Sequence, residues 1–218
     1  TGIYSFDPVT GDKNLIADPE ASKRPDNRFN DGKCDPMGRF WAGTISTVKK
    51  TGDANLYMLD KNGDLTLKVP EVTNSNGICW NGDAKVMYYI DTPTKKIMAY
   101  PFDNETGEIG EPSLVMDTED AGIAGSPDGM TIDAEDKLWV AMCHGGLVVC
   151  VDPVAGQVYR KVEFPCVETT ACAFGGQNHD RLFVTTGLHK TLREPDAGKV
   201  FAVDGLQAVG APSFSYGN

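Results

Sequence analysis

One motif recurs along the chain at a nearly constant interval, and that interval limits what the chain can fold into. The clearest copy is Ser126-Pro127-Asp128-Gly129-Met130-Thr131-Ile132-Asp133, running on into Lys137-Leu138-Trp139-Val140-Ala141. An Asp-Gly turn, a short apolar run, a tight acidic turn and a second apolar run together read as a β-hairpin. Asn30-Asp31-Gly32-Lys33-Cys34-Asp35 leads in the same way to Arg39-Phe40-Trp41-Ala42-Gly43-Thr44, and Ser75-Asn76-Gly77-Ile78-Cys79-Trp80 leads to Val86-Met87-Tyr88-Tyr89-Ile90-Asp91. A weaker copy is Thr170-Ala171-Cys172-Ala173-Phe174 with Arg181-Leu182-Phe183-Val184-Thr185. The large residues of the second runs, Trp41, Tyr89, Trp139 and Phe183, stand 48, 50 and 44 residues apart. A second landmark is the turn Asp after each third run. Asp7, Asp60, Asp103, Asp152 and Asp204 stand 53, 43, 49 and 52 apart. Both series match the length of one four-stranded propeller blade.

Third strands are expected at residues 3–6, 56–59, 97–100, 147–151 and 200–203, and fourth strands at 14–17, 65–69, 113–116 and 158–162. No segment holds a 3.6-residue period over three turns, so the fold class is all-β. Longer loops are expected over 18–29, 44–54, 117–127 and 186–198, where Pro and Gly collect. The register opens on a third strand. It gives a single β-propeller domain over residues 1–218 holding about four and a half blades. A six-bladed ring on this spacing needs about 290 residues, so about 70 more are expected ahead of Thr1. The alternative is a five-bladed ring closed by Leu206–Tyr216.

Asp and Glu number 31 against 20 Lys and Arg, a net charge of −11. That balance argues against a nucleic-acid partner held through phosphates. No apolar run reaches the roughly 20 residues a membrane helix needs, so no membrane partner is expected. None of the six cysteines forms a Cys-x-x-Cys pair, which argues against a zinc cluster. Cys34, Cys79, Cys150 and Cys172 fall in expected strands and read as reduced core thiols of a cytoplasmic protein.

In a propeller, the leading residues of the first strands gather at one mouth of the channel. Asp31, Asn76, Asp128 and Thr170 are therefore expected around one axis. Oxygen ligands from Asn and Asp, with no His or Cys beside them, suit a hard divalent cation. Ca²⁺ is the first choice, with Mg²⁺, Mn²⁺ and Zn²⁺ as alternatives. The competing reading is that these Asp-Gly and Asn-Gly pairs only shape turns. His144, His179 and His189 fall in loops and are not spaced as a ligand set, although His144 follows a second strand. Ser75 and Ser126 lack the Gly-x-Ser-x-Gly setting of a nucleophile. Trp41, Trp139, Tyr88 and Tyr89 read as wedges in the core.

Several strings taken together resemble the SMP-30/gluconolactonase family, which includes regucalcin. They are Arg28-Phe29-Asn30-Asp31-Gly32-Lys33, Gly38-Arg39-Phe40-Trp41-Ala42-Gly43-Thr44, Ser75-Asn76-Gly77, Pro127-Asp128-Gly129, Phe174-Gly175-Gly176 and Pro195-Asp196-Ala197-Gly198. The resemblance runs in order over nearly the whole chain. It implies a six-bladed propeller that hydrolyses sugar lactones with one divalent metal in its channel. The family's metal ligands are an early Glu, the Asn of Ser-Asn-Gly and the Asp of Pro-Asp-Gly, and the last two fall on Asn76 and Asp128. The Arg and Asn of Arg-Phe-Asn contact substrate, and they fall on Arg28 and Asn30. The early Glu has no counterpart in residues 1–218. A further substrate-contacting Glu of some members would fall near Val48, where there is no acid. The expected reaction is hydrolysis of an aldonolactone by activated water, with Asp128 also serving as general base. The alternative is a non-catalytic calcium-binding regulatory protein of the regucalcin type.

Overall fold

The computed structural model describes residues 2–217. The chain alternates strand and turn, and the only helical pieces among the described residues are 3₁₀ turns at Ala21–Lys23 and Thr92–Thr94. It divides into two compact units. One comprises Thr1–Ser75 with Phe214–Asn218, the other Asn76–Ser213.

The first unit holds a hairpin of β1 (Ile3–Phe6) and β2 (Lys13–Ala17). It also holds a four-stranded meander of β3 (Asn27–Cys34), β4 (Phe40–Ser46), β5 (Ala54–Leu59) and β6 (Leu65–Val72). Its apolar centre sets Ile3, Ala42 and Leu59 against Phe29, Phe40 and Leu65.

The second unit repeats the meander. The strands β7 (Ser75–Trp80, whose first residue is counted with the first unit), β8 (Val86–Asp91), β9 (Lys96–Pro101) and β10 (Ser113–Asp117) form one sheet. A second comprises β11 (Ser126–Ile132), β12 (Leu138–Cys143), β13 (Leu147–Asp152) and β14 (Gln157–Glu163). A three-stranded sheet of β15 (Thr169–Gly175), β16 (Arg181–Thr186) and β17 (Val200–Val203) follows. Each sheet is an antiparallel up-and-down blade, so the fold is of the β-propeller class. Apolar residues on facing blades interlock in two layers. Ile90, Ile97 and Met130 meet Leu138, Val140 and Val149 in one, while Trp139, Ala141 and Val148 meet Cys172, Leu182 and Val184 in the other.

Two side-chain devices repeat from blade to blade. The first sits in the β3–β4 turn, where the fully buried Asp35 accepts from Arg39 Nε at 2.6 Å and Trp41 Nε1 at 2.9 Å. In the β11–β12 turn Asp133 accepts from Trp139 Nε1 at 2.8 Å and from the Lys137 backbone N–H at 2.9 Å. The carboxylate closes the hairpin and satisfies a buried indole at the same spacing in both blades. The second device is the turn Asp after each third strand. Asp7, Asp60, Asp103 and Asp152 each accept from the backbone N–H two residues on, at 2.8 to 3.0 Å. These are Asx turns. Backbone N–H groups hold the carboxyls of Asp7, Asp60 and Asp152 below the usual carboxylate range.

The expected third and fourth strands all form, most of them a residue or more longer than the apolar runs. The first three expected loops are shorter, because β3 begins at Asn27, β4 runs on to Ser46 and β10 runs on to Asp117, while the fourth keeps its length between Thr186 and Val200. The alternative of a five-bladed ring closed by Leu206–Tyr216 finds no strand in that segment among the described residues. Gly210 bridges to Asp133 and its N–H donates to His179 O, while Ala211 N donates to Ile132 O. That segment lies across blade ends, anchored by the buried Leu206, and leaves the β15–β17 sheet three-stranded.

Candidate functional site

The first strands of successive blades approach until only glycine fits between them. A Cβ on Gly77 of β7 would come within 2.5 Å of Met130 Cβ and 2.7 Å of Asp128 O on β11. A Cβ on Gly129 would come within 2.7 Å of Ala171 Cβ and 3.0 Å of Thr170 O on β15. Real Cβ atoms do not approach so closely. The two glycines therefore fix the register, and they bring Asn76, Asp128 and Thr170 to one level on three neighbouring strands.

Asn76 is 5% exposed. Its Nδ2 donates to Thr92 Oγ1 at 2.7 Å, and the Thr92 hydroxyl donates to Pro127 O at 2.8 Å. The relay assigns the amide orientation: nitrogen toward Thr92, oxygen on the opposite side. Asp128 is half-buried one residue beyond Pro127. Thr170 turns its hydroxyl to Thr185 Oγ1, 2.9 Å away, within its own blade.

Within the first unit, Arg28 Nη1 donates to Phe29 O at 2.9 Å and to Asn30 Oδ1 at 3.1 Å. Asn30 Nδ2 donates to Ser75 O at 2.8 Å. The two residues are thus tied together, as their spacing in Arg-Phe-Asn suggests. Asp31 accepts from the Gly32 N–H at 2.7 Å, and burial pushes its carboxyl above the usual range.

Two readings of the sequence need correction. Asp128 does have a sulfur beside it. The Cys143 thiol lies close enough to Asp128 to feel its charge, and burial first, then Glu168 and Asp128, push that thiol far up. The histidines are not all isolated either. His144 Nδ1 lies 2.9 Å and His189 Nε2 3.9 Å from Glu168 Oε1. Cys143 and Glu168 went unnoticed because they stand 25 residues apart. The available signal was the blade repeat, which sets the end of a second strand beside the start of the next blade. All six cysteines are free thiols, with Cys79, Cys150, Cys166 and Cys172 buried.

Antiparallel four-stranded meanders, with Asn and Asp leading adjacent first strands, define a β-propeller that presents oxygen donors at one end of its blades. The family model described as SMP-30/Gluconolactonase/LRE-like region matches residues 1–188, and the chain belongs to that family. It is 39% identical over 212 residues to a regucalcin of Danio rerio, covering 94% of this chain and 71% of that one. YvrE of Bacillus subtilis, named as a candidate sugar lactone lactonase, is 39% identical over 180 residues, covering 80% of this chain and 61% of YvrE. A solved structure described as a calcium-binding protein, regucalcin, from Agrobacterium tumefaciens superposes with a TM-score of 0.90 at 31% identity, covering 99% of this chain and 73% of that one. The chain thus spans roughly two thirds of the length of the proteins it resembles. No helix among the described residues is long and apolar enough to cross a membrane.

Proposed function

We propose that the protein hydrolyses sugar lactones with the help of one divalent cation held by Asn76 and Asp128. The observation that carries this reading is the glycine-set register, which lines up a buried, orientation-fixed amide with a carboxylate. An amide oxygen and a carboxylate are hard donors, and they fit Ca²⁺ first among the common divalent ions. When bound, the cation supplies Lewis-acid polarisation of the lactone carbonyl and countercharge for the oxyanion. The Asp128 carboxylate takes the proton of the attacking water and returns it to the ring oxygen as the C–O bond breaks. Thr92 holds the Asn76 amide so that its oxygen keeps the same direction throughout. Arg28 and Asn30, already hydrogen-bonded to each other, orient the substrate's hydroxyls and carbonyl.

Asp128→Asn is expected to lower kcat by about 10²–10⁴-fold, since the base and a negative ligand go together. Arg28→Ala is expected to act mainly through KM. Acid release from gluconolactone, less the spontaneous rate, measures both. Retention of most of kcat in Asp128→Asn would sink the mechanism. The Agrobacterium structure described as calcium-binding favours a second reading, a calcium-responsive protein without turnover. Stoichiometric Ca²⁺ binding with no lactone hydrolysis above background would select that reading.

A further inference from the structure

We propose that Cys143, His144 and Glu168 form a site for a borderline-soft divalent ion of the zinc type, distinct in its donors from Asn76 and Asp128. Cys143 and Glu168 face each other across a β-bridge that joins the end of β12 to the residue before β15. Residues paired in this way present their side chains on one face. The thiol accordingly donates to Glu168 Oε2 at 3.0 Å, and His144 Nδ1 meets Glu168 Oε1 at 2.9 Å. Sulfur, nitrogen and carboxylate oxygen all lie within 4.8 Å of one another. Zinc bond lengths of about 2.0–2.3 Å place tetrahedral donors about 3.3–3.7 Å apart, so small side-chain movements close the set around an ion.

The surroundings favour a metal over the other uses of these groups. Glu168 is 6% exposed, and among the described residues it has no Lys or Arg in ion-pair range, only the two histidines. Its ionised form is held by hydrogen bonds from Cys143 and His144, both of them donors that a divalent ion can replace. His189 contributes from behind. Its Nδ1 accepts from the N–H groups of Thr191 at 3.2 Å and Leu192 at 3.1 Å. In the neutral ring the proton therefore sits on Nε2, which lies 3.9 Å from Glu168 Oε1 and adds a second imidazole beside the carboxylate. The Glu168 backbone is fixed as well, because Gly187 N donates to its carbonyl at 2.7 Å. A nucleophilic role suits Cys143 poorly. Its thiol is hydrogen-bonded to a carboxylate, which keeps the proton on sulfur, and not to an imidazole that could remove it. A metal displaces that proton. Binding converts S–H to a sulfur–metal bond and releases that proton to solvent, while the His144 proton, which faces the Glu168 carboxylate from Nδ1, moves to Nε2 so that Nδ1 is free to ligate and the ring stays neutral. Three protein donors leave a fourth position for water, on the side where the His144 ring is 63% exposed.

The test is titration of the metal-free protein with Co²⁺, read by absorption. One equivalent is expected to give the near-ultraviolet charge-transfer band of a cobalt–thiolate bond together with visible bands of tetrahedral cobalt. Cys143→Ser should abolish the charge-transfer band. His144→Ala, at an exposed position with little bearing on folding, should weaken Co²⁺ binding by at least tenfold. Asn76→Ala should leave the band in place, and excess Ca²⁺ should not remove it. Loss of the lactonase reading would leave these outcomes unchanged, because none depends on turnover. No band at saturating Co²⁺, or a band that survives in Cys143→Ser, would overturn the proposal. So would a band that disappears in Asn76→Ala while circular dichroism shows that variant folded, since the ion would then belong to the oxygen ligands.

Discussion

Asp35 and Asp133 do the same work in two blades with one difference, and that difference sets unequal costs for their removal. Both carboxylates are buried and each accepts a tryptophan N–H, but only Asp35 also pairs with a buried Arg. Asp35→Ala leaves the Arg39 charge without a partner, so a loss of about 3–5 kcal/mol is expected. Asp133→Ala orphans an indole and backbone N–H groups, so about 1–3 kcal/mol is expected. Urea denaturation of the two variants checks the order, and equal losses would mean that the arginine contributes nothing. Asp31 behaves in the opposite sense. Its carboxyl is raised by burial, so its ionised form costs stability in the folded state. Stability tied to this group is fully present below its unfolded value near 4 and is lost as pH rises through the raised folded value. Asp31→Asn should therefore raise the Tm at pH 7, with the gain fading as pH approaches about 4. A gain of equal size at both pH values would point to packing instead of charge.

At the scale of elements, the glycines between first strands couple folding to the site. Gly129→Ala drives a methyl into Ala171 on the next blade, so β11 and β15 must separate. A cost of about 1–3 kcal/mol is expected. Asp128 rides on the same strand, so metal affinity should fall along with stability, measurable by calorimetric titration. Unchanged affinity in a destabilised variant would uncouple the two. Most of this layer was legible in the sequence, and for a physical reason. A hairpin turn needs Asp or Gly at fixed places, and the Asp that closes it leaves a mark every 43 to 53 residues. Asn76 and Asp128 stood out as proposed ligands because they precede the glycines that fix the register. Thr92 was not, since its link to Asn76 passes through a 3₁₀ turn that no periodicity reveals. The meeting of Cys143 and Glu168 beside His144 escaped for the same kind of reason. They meet only because the end of one blade's second strand abuts the start of the next blade, and neither apolar spacing nor a short motif encodes that meeting.

At the scale of the whole molecule, membership of the SMP-30/gluconolactonase/LRE-like family and the paired donors on adjacent blades lead to one expectation about metal. A cation that binds only the folded state should stabilise it by about 2.7 kcal/mol at 100 times its dissociation constant. Dialysis against a chelator should therefore lower the Tm and reduce lactone hydrolysis to the spontaneous rate, and Ca²⁺ should restore both. Activity that persists after chelation would remove the metal from the reaction. In the β11–β12 hairpin the clasp and the proposed ligand lie at opposite ends of the same strands. In β11 the carboxylate of the site comes near the start, at Asp128, and the clasp follows the end, at Asp133. In β12 the order reverses, with Trp139 near the start and Cys143 at the end. Substitutions are thereby sorted by address. Those at one rim are judged by folding and those at the other by ligand, so selection can rewrite the chemistry of a blade while its hairpin stays under separate control. A thiol, an imidazole and a carboxylate gather at one end of these strands while the Asp133 clasp closes the other, so the donors can change without touching the hairpin.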